Sequence, residues 1–243
     1  METIELTDFG FDGIQFTFYG EVVTRRAEGD RLLFLFGEEH EVPAIIKPNV
    51  LNALELARLG VIACVGVEEY PFVWEGRTDA DVERELERNL ARHGDEAGII
   101  TALGPLYFGQ TVKLLCPTMP VRCVDDPKLY EAAEKLDEKY RGRIERRARE
   151  IFARMTEGMS PTAQERMRLD TESQEQARVE IKKEYGEEAV HIQRDEAFIR
   201  NMMTLWGKNG FKRAAILNGG GKHIERITAK LPAEVRYIWI VQT

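Results

Sequence analysis

The sequence predicts an α/β fold in which a central, mostly parallel sheet has helices on both faces and carries a helical-hairpin insertion. Residues 32–36 and 61–67 are almost entirely apolar, which is typical of strands that helices cover on both faces. Segments with apolar residues at helical spacing alternate with these strands, as in a parallel α/β sheet. From 127 to 188 aliphatic strands are absent, and Glu, Lys and Arg dominate. We therefore expect a single α/β domain over 1–243, with a helical insertion at 127–188 within it.

The first half of the chain begins with short strands and continues with alternating strands and helices. Residues 13–23 alternate in places between polar and apolar types, and Gly10, Gly13 and Gly20 interrupt the first 30 residues. This pattern predicts an antiparallel hairpin at a sheet edge. The elements predicted after it are a strand at 32–36, a helix at 49–59 that stops at Gly60, a strand at 61–67, helices at 79–93 and 97–115, and a short strand at 121–124.

The second half is predicted to be helical at first and to return to the sheet near its end. Its predicted elements are helical arms at 128–155 and 162–185, a helix at 189–206, a strand at 214–217, a helix at 224–231 and a closing strand at 235–241. The charged residues of the two arms are typical of a solvated surface that is supported by ion pairs along each helix. The insertion is also a candidate surface through which copies of the chain form a homo-oligomer.

The composition argues against several classes of protein. The chain has 34 Lys and Arg against 42 Asp and Glu, a net charge of −8 at pH 7, whereas nucleic-acid binders depend on clustered cations. The longest apolar runs are far shorter than the roughly 18 residues that span a bilayer. The acidic N-terminus is unlike a signal peptide, so we expect no membrane partner and a cytoplasmic location. Cys64, Cys116 and Cys123 lack C-x-x-C spacing and are predicted to be core thiols.

Three of the predicted strands end in polar residues of the types that enzymes use. The strand at 32–36 is followed by Gly37, Glu38, Glu39 and His40, the strand at 61–67 by Glu68 and Glu69, and the strand at 214–217 by a glycine run that leads to His223. The carboxyl ends of parallel strands meet at one edge of a sheet, where ligands bind. We therefore expect His40, Glu68 and His223 to converge there.

Sequence motifs of known spacing include these residues. The pattern Gly-x-x-His occurs twice, ending at His40 and at His223, and Glu68 closes a strand between them. Arg194 and Asp195 begin a segment similar to the motif Arg-Asp-x-x-Met-Ala-x-Asn, although Phe and Ile replace its Met and Ala. Together, the motifs resemble those of the TraB/TIKI group in the erythromycin-esterase and ChaN-like superfamily. The resemblance does not cover the insertion at 127–188, which in such families usually determines substrate choice.

The resemblance implies a hydrolase whose active site contains His40, Glu68, Arg194 and His223. Its substrate would be a small molecule or a peptide, and the bond cleaved could be an ester, a peptide or a phosphoester bond. A histidine within hydrogen-bond reach of water can act as a general base. Arg194 would stabilise the negative charge that develops at the attacked carbonyl or phosphoryl group. An alternative from another class is a non-catalytic regulatory module that has the same fold and binds a metal or a small anion.

The same residues are suitable ligands for a divalent metal. Two imidazoles and a carboxylate, from His40, His223 and Glu68, would bind zinc, manganese or cobalt and leave one position open for water. Two glutamates follow each of the first two strand ends, and a cation would offset their mutual repulsion. This crowding of negative charge slightly favours a metal, while general-base catalysis without a metal is the alternative.

Further residues are predicted to contact a ligand: Glu39, Glu69, Gly220, Lys222 and Asp125. Only one of Glu68 and Glu69 can face the site if both belong to the strand, because consecutive strand residues point to opposite faces. The family pattern favours Glu68. Asp125 either orients a histidine or forms the N-cap of the helix that follows Pro127.

The glycine run before Lys222 invites a second interpretation. It follows a strand and opens a helix, as a phosphate-binding loop does. However, Ile216 and His223 occupy the positions at which a P-loop requires glycine and a hydroxyl residue. A Walker-type nucleotide site is therefore not expected, whereas contact between Lys222 and a phosphate group stays open.

Overall fold

Two units make up the chain in the computed structural model, which describes residues 2–26, 28–38, 43–69, 72–103, 107–185 and 189–241. The α/β unit comprises Met1–Asp125 and Asp195–Thr243, and the helical unit comprises Asp126–Arg194. The predicted α/β fold is confirmed, because a mixed sheet with mostly parallel strands lies among helices.

The strands of the described residues all belong to the α/β unit. They are β1 (Glu2–Glu5), β2 (Gln15–Phe18), β3 (Glu21–Arg26), β4 (Arg31–Glu38), β5 (Ile62–Val67), β6 (Val121–Cys123), β7 (Ala214–Gly220) and β8 (Val235–Val241). A single 3₁₀ turn over Leu6–Phe9 follows β1.

The helices are distributed between the two units. They are α1 (Pro43–Arg58), α2 (Asp79–His93), α3 (Glu96–Leu103), α4 (Phe108–Leu115), α5 (Pro127–Met155), α6 (Ala163–Tyr185), α7 (Ala189–Asn209) and α8 (Gly221–Thr228). The boundary between the units falls within α7, after Arg194. Among the described residues, no helix is both long enough and apolar enough to cross a membrane.

The main sheet has six strands in the order β3-β8-β4-β7-β5-β6. Every neighbouring pair is parallel except β3 and β8, which are antiparallel. The strands β1 and β2 form a separate antiparallel pair. The N-terminal segment therefore contains antiparallel strands, as predicted, but the strands within 13–23 do not form a hairpin with each other. Strand β2 pairs with β1, whereas β3 forms the edge of the main sheet and pairs with β8, the last strand among the described residues.

Helices cover both faces of this sheet, as the apolar strands predict. In β4, Phe34 and Phe36 belong to a core that includes α1, α2, α3 and α4, while Leu33 and Leu35 belong to a core with α7 and α8. Alternate residues of a strand point to opposite faces, so each core receives every second side chain. The residues that follow β5 and β7 are therefore also divided between the two faces.

The helical unit contains the predicted hairpin, whose arms are α5 and α6. Its core includes Ala148 and Ile151 of α5 and Ala177 of α6. Arg147 on α5 donates to Glu180 on α6 over 2.6 Å, and this ion pair links the two arms. The first turn of α5 is capped by Asp126, whose carboxylate accepts from the amides of the second and third helical residues.

The helix predicted over 97–115 is two helices in the structure. The segment at 104–106 lies outside the described residues, α3 ends before it and α4 begins after it. The sequence contains Pro105 in this segment, and proline lacks the amide hydrogen that a helix interior requires. A second difference concerns the glycine run, because β7 continues through Gly220 and α8 begins at the next residue.

Candidate active site

The carboxyl ends of β4, β7 and β5 meet at one edge of the sheet, as the sequence predicts. Residue Asn218 of β7 pairs with Phe36 of β4 on one side and with Val67 of β5 on the other. The amide of Glu68 then donates to the carbonyl oxygen of Asn218 over 3.1 Å. The first residue after β5 is therefore fixed beside the glycine run that ends β7.

Glu68 lies against the start of α8. Its Oε2 accepts from the amide of Gly220 over 2.7 Å, and its Oε1 lies 3.5 Å from Nε2 of His223. A Cβ atom at Gly219 would lie 3.1 Å from Oε2, which is tighter than most real contacts, so glycine lets this carboxylate approach the chain. The side chain of Glu68 is only 10% exposed.

His223 lies between two carboxylates. Its Nδ1 is 2.7 Å from Oδ1 of Asp195, on the opposite side of the ring from Glu68. The ring of Phe198 stands edge-on to the imidazole with its centroid 5.3 Å away. The imidazole is therefore held on both sides. Its side chain is 14% exposed, so only a small area reaches solvent.

Asp195 is fully buried and binds both His223 and Arg226. Arg226 donates from Nε to Oδ2 over 2.6 Å and from Nη2 to Oδ1 over 3.1 Å, which is a bidentate ion pair. Burial, the largest influence on the pKa of Asp195, raises it, but the hydrogen bonds from His223 and Arg226 together lower it below its ordinary value. Asp195 is therefore a carboxylate at neutral pH.

The ionised state of Asp195 determines which nitrogen of His223 carries a proton. An ionised carboxylate only accepts hydrogen bonds, so Nδ1 must be the donor in the 2.7 Å contact. Nη2 of Arg226 is also 2.9 Å from Nδ1, but two donors cannot bond to each other, and both are satisfied by Asp195. In neutral His223 the lone pair is then on Nε2, facing Glu68.

Other residues that the sequence singled out have described partners of their own. The carboxylate of Glu69 accepts from the amides of Gly109 and Gln110, so it caps the start of α4. Asp125 is buried at the end of β6, and the N-cap of α5 is its neighbour Asp126. Arg194 is buried in the helical unit, where its guanidinium carbon lies 5.3 Å from the centroid of the Tyr130 ring.

Three of the predicted contacts fall where the structure gives no description. His40 and Glu39 lie outside the described residues, and so does the side chain of Lys222. The described part of β4 ends at Glu38, which pairs with Gly220. Of the four residues predicted for catalysis, the structure brings Glu68 and His223 together, and it adds Asp195 and Arg226 to them.

The cysteines offer no nucleophile to this site. Burial raises the pKa of Cys64 and that of Cys123 to about 12 each. At neutral pH both are therefore thiols rather than the thiolates that attack substrates. Cys64 is buried within β5, as the sequence predicts for a core thiol.

Two of the three predicted metal ligands face each other. Within the described ranges, no group of three His, Cys, Asp or Glu side chains is arranged to hold a metal ion. Oε1 of Glu68 and Nε2 of His223 nevertheless lie only 3.5 Å apart, and the third predicted ligand, His40, lies outside the described residues. The bond from His223 Nδ1 to Asp195 is of the kind that orients a metal-binding imidazole. The donor set therefore fits a cation but includes only two described ligands.

Comparisons with protein-family models, with curated proteins and with solved structures find no match to this chain. The resemblance to the erythromycin-esterase and ChaN-like superfamily stays a prediction that depends on the sequence motifs alone.

Proposed function

We propose that the protein is a hydrolase in which His223 and Glu68 activate a water molecule. The observation that carries the proposal is the bond between Asp195 and Nδ1 of His223, because it directs the lone pair of Nε2 toward Glu68. A neutral imidazole held by a buried carboxylate is the arrangement of a general base. The motifs shared with the erythromycin-esterase group support the same class of reaction.

In this proposal the two acceptor atoms hold one water molecule, which binds beside the pair because the atoms are only 3.5 Å apart. Water has two hydrogens to donate, and Nε2 of His223 and Oε1 of Glu68 are two acceptors on adjacent elements. When the water oxygen bonds to the carbonyl or phosphoryl centre of the substrate, one proton passes to Nε2. The positive charge on the imidazole is then stabilised by Asp195. The same proton is donated to the leaving group when its bond to the substrate breaks, which restores neutral His223.

Arg226 acts through Asp195 rather than on the substrate. Its two hydrogen bonds hold the carboxylate in one orientation, so that Oδ1 stays in line with Nδ1 of His223. We assign Arg226 as a positioning residue. Arg194, which the resemblance places at the anion of the transition state, keeps that role as a prediction.

A divalent cation remains part of the proposal. Glu68 and His223 would be its described ligands, and a bound cation would make a water molecule more acidic and polarise the substrate. Metal analysis of protein purified without chelator tests this, with the His40→Ala, His223→Ala double variant for comparison. Equal and negligible metal in both proteins would contradict the cation and leave the general-base mechanism in place.

Hydrolysis is tested with esters, peptides and phosphoesters as substrates. We expect His223→Ala and Asp195→Asn to lower the rate on any accepted substrate by about 100- to 10,000-fold, since each disables the general base. His93→Ala is the matched control, because His93 lies at the end of α2, outside the site. If His223→Ala retains the wild-type rate with unchanged thermal unfolding, the proposal is wrong.

A further inference from the structure

A concave surface lies on the α/β unit beside β6, away from His223, and we call it the β6 cleft. It has a volume of about 550 Å³ and is lined by the start of α2, the end of α4, β6 and the second half of α7. Clefts of a few hundred cubic ångströms are the usual size for small-molecule sites. The residues that matter for its chemistry are Asp79, Lys113, Arg122, Asn201, Thr204 and Lys208.

The β6 cleft differs in charge from the rest of the protein. Three cations and one carboxylate line it, which is a net charge of +2, whereas the whole chain has a net charge of −8. Lys113 is buried and bonds to Asp79 over 2.8 Å and to the carbonyl oxygen of Met119 over 3.3 Å. Asp79 and Lys113 therefore neutralise each other, and the excess positive charge belongs to Arg122 and Lys208.

Arg122 and Lys208 are both available to a ligand. Both side chains are exposed, and within the described residues no carboxylate lies within ion-pair distance of either. Among the described residues, Arg122 donates to the carbonyl oxygen of Val121 over 2.9 Å, and this bond uses one of its five donors. Arg122 lies on β6 and Lys208 lies on α7. Because the two cations line the cleft from separate elements, they can bind one ligand between them.

Polar groups of α7 complete the lining. Asn201 is held in place by a bond from its amide nitrogen to the carbonyl oxygen of Val124, over 2.9 Å, and its amide oxygen remains as an acceptor. Thr204 donates its hydroxyl hydrogen to the backbone carbonyl oxygen of Arg200 over 2.8 Å, and its hydroxyl oxygen can still accept. A ligand with both anionic and hydroxyl groups would match this combination of cations and acceptors.

We propose that the β6 cleft binds a small organic anion with at least two negative charges, and that Arg122 and Lys208 are its charge partners. The site is separate from the His223 centre, because Thr204 lies nine residues along α7 from Asp195, roughly 14 Å along the helix axis. The anionic groups are phosphates or carboxylates, since guanidinium and ammonium donors bind both.

The experiment measures binding by isothermal titration calorimetry on the full chain, with pyrophosphate and citrate as the two probes. We expect at least one of them to bind, and the tighter one identifies phosphate or carboxylate as the preferred group. In the Arg122→Gln, Lys208→Gln double variant, the affinity should fall at least about tenfold, because two charge-assisted contacts are lost. Both residues are exposed, so the variant should fold, and circular dichroism checks this.

The matched control is the Arg92→Gln, Lys230→Gln double variant, which removes the same charge from exposed positions outside the cleft. We expect its affinity to stay within about twofold of wild type, and we expect His223→Ala to bind as wild type does. The proposal is wrong if wild type binds neither probe at about 10 mM, if the control loses as much affinity, or if His223→Ala abolishes binding. These outcomes do not depend on hydrolysis, so they leave the proposed function untouched.

Discussion

Glu68 and Glu69 are adjacent in sequence and have different partners. The carboxylate of Glu68 faces His223, and that of Glu69 caps α4. We predict that Glu68→Gln lowers the hydrolysis rate with little change in stability, because it removes one acceptor for the attacking water. Glu69→Gln should instead lower the free energy of unfolding by about 1 kcal/mol, through a weaker helix cap.

Rate measurements and chemical denaturation on the two variants check this prediction. The two variants remove the same charge from neighbouring positions, so each is the control for the other. Equal losses of rate in both would contradict the assignment of Glu68 to the site, and a larger loss of rate in Glu69→Gln would reverse it.

The sequence predicts part of the site well, because strand ends are visible in it. Glu68 and His223 each follow an apolar strand, and the geometry of a parallel sheet brings such residues together. Asp195 and Arg226 are different, since their roles depend on contacts between α7 and α8. The spacing of His223 and Arg226, three residues apart on one helix, was a usable signal. Asp195 is part of the motif that begins at Arg194, but the motif does not show that it binds His223.

At the level of elements, Gly66 and Gly142 differ in whether the surrounding structure has space for a side chain. A Cβ at Gly66 of β5 would lie 2.8 Å from Cγ1 of Val124 and would also collide with the sulfur of Met202. A Cβ at Gly142 of α5 would meet nothing within 4 Å. The first glycine is required by the packing of the sheet against α7, whereas no contact with a described residue requires the second.

We predict that Gly142→Ala stabilises the protein by about 0.5–1 kcal/mol, since alanine loses less backbone entropy in a helix. Gly66→Ala should destabilise it by about 1–3 kcal/mol, because the core has no space for a methyl group. Urea denaturation of both variants measures these changes. A destabilising Gly142→Ala would indicate that a partner outside the described residues packs on this glycine.

The boundaries of elements were predictable where glycine or an N-cap marks them. Gly60 has a positive φ of 69° just after α1, and Thr78 forms a capping box with Asp81 at the start of α2. The glycine run after Leu217 misled the prediction, because glycines that elsewhere mark turns here extend β7 to Gly220. Backbone pairing with β4 holds these glycines in the strand, and the sequence of one strand does not show which strand pairs with it.

For the whole molecule, the alternation of strands and helices predicted the parallel sheet but not the order of its strands. Strand β7 lies between β4 and β5, although it comes almost 150 positions after β5 in the chain. The helical unit separates β6 from β7 in sequence, so the sheet is completed only by the last part of the chain. Because β7 pairs between β4 and β5, His223 lies beside Glu68, although the two residues are far apart in sequence.

The last prediction concerns the response of the whole protein to acid. Asp195 in the α/β unit has a pKa below its ordinary value, and so do Asp79, Asp81, Glu165 and Glu180. A carboxyl group with a lowered native pKa contributes stability that is fully present above its unfolded pKa, about 4. This contribution is lost as the pH falls through the native value. We therefore expect the melting temperature to fall steeply below about pH 4.

Asp195→Asn separates the part of this response that belongs to the site. At pH 7 the variant should melt below wild type, because Arg226 and His223 lose their buried charge partner. As the pH falls from about 4 toward 3, the difference should shrink, since Asp195 takes up a proton in the unfolded wild-type chain at a higher pH than in the folded protein. Circular dichroism melts of both proteins at several pH values between 7 and 3 measure the difference. A constant gap would mean that the pKa of Asp195 is not lowered in the folded protein. If wild type instead gains stability over the variant as the pH falls from 7, Asp195 is protonated in the folded protein, and the assignment of the Nδ1 proton to His223 is wrong.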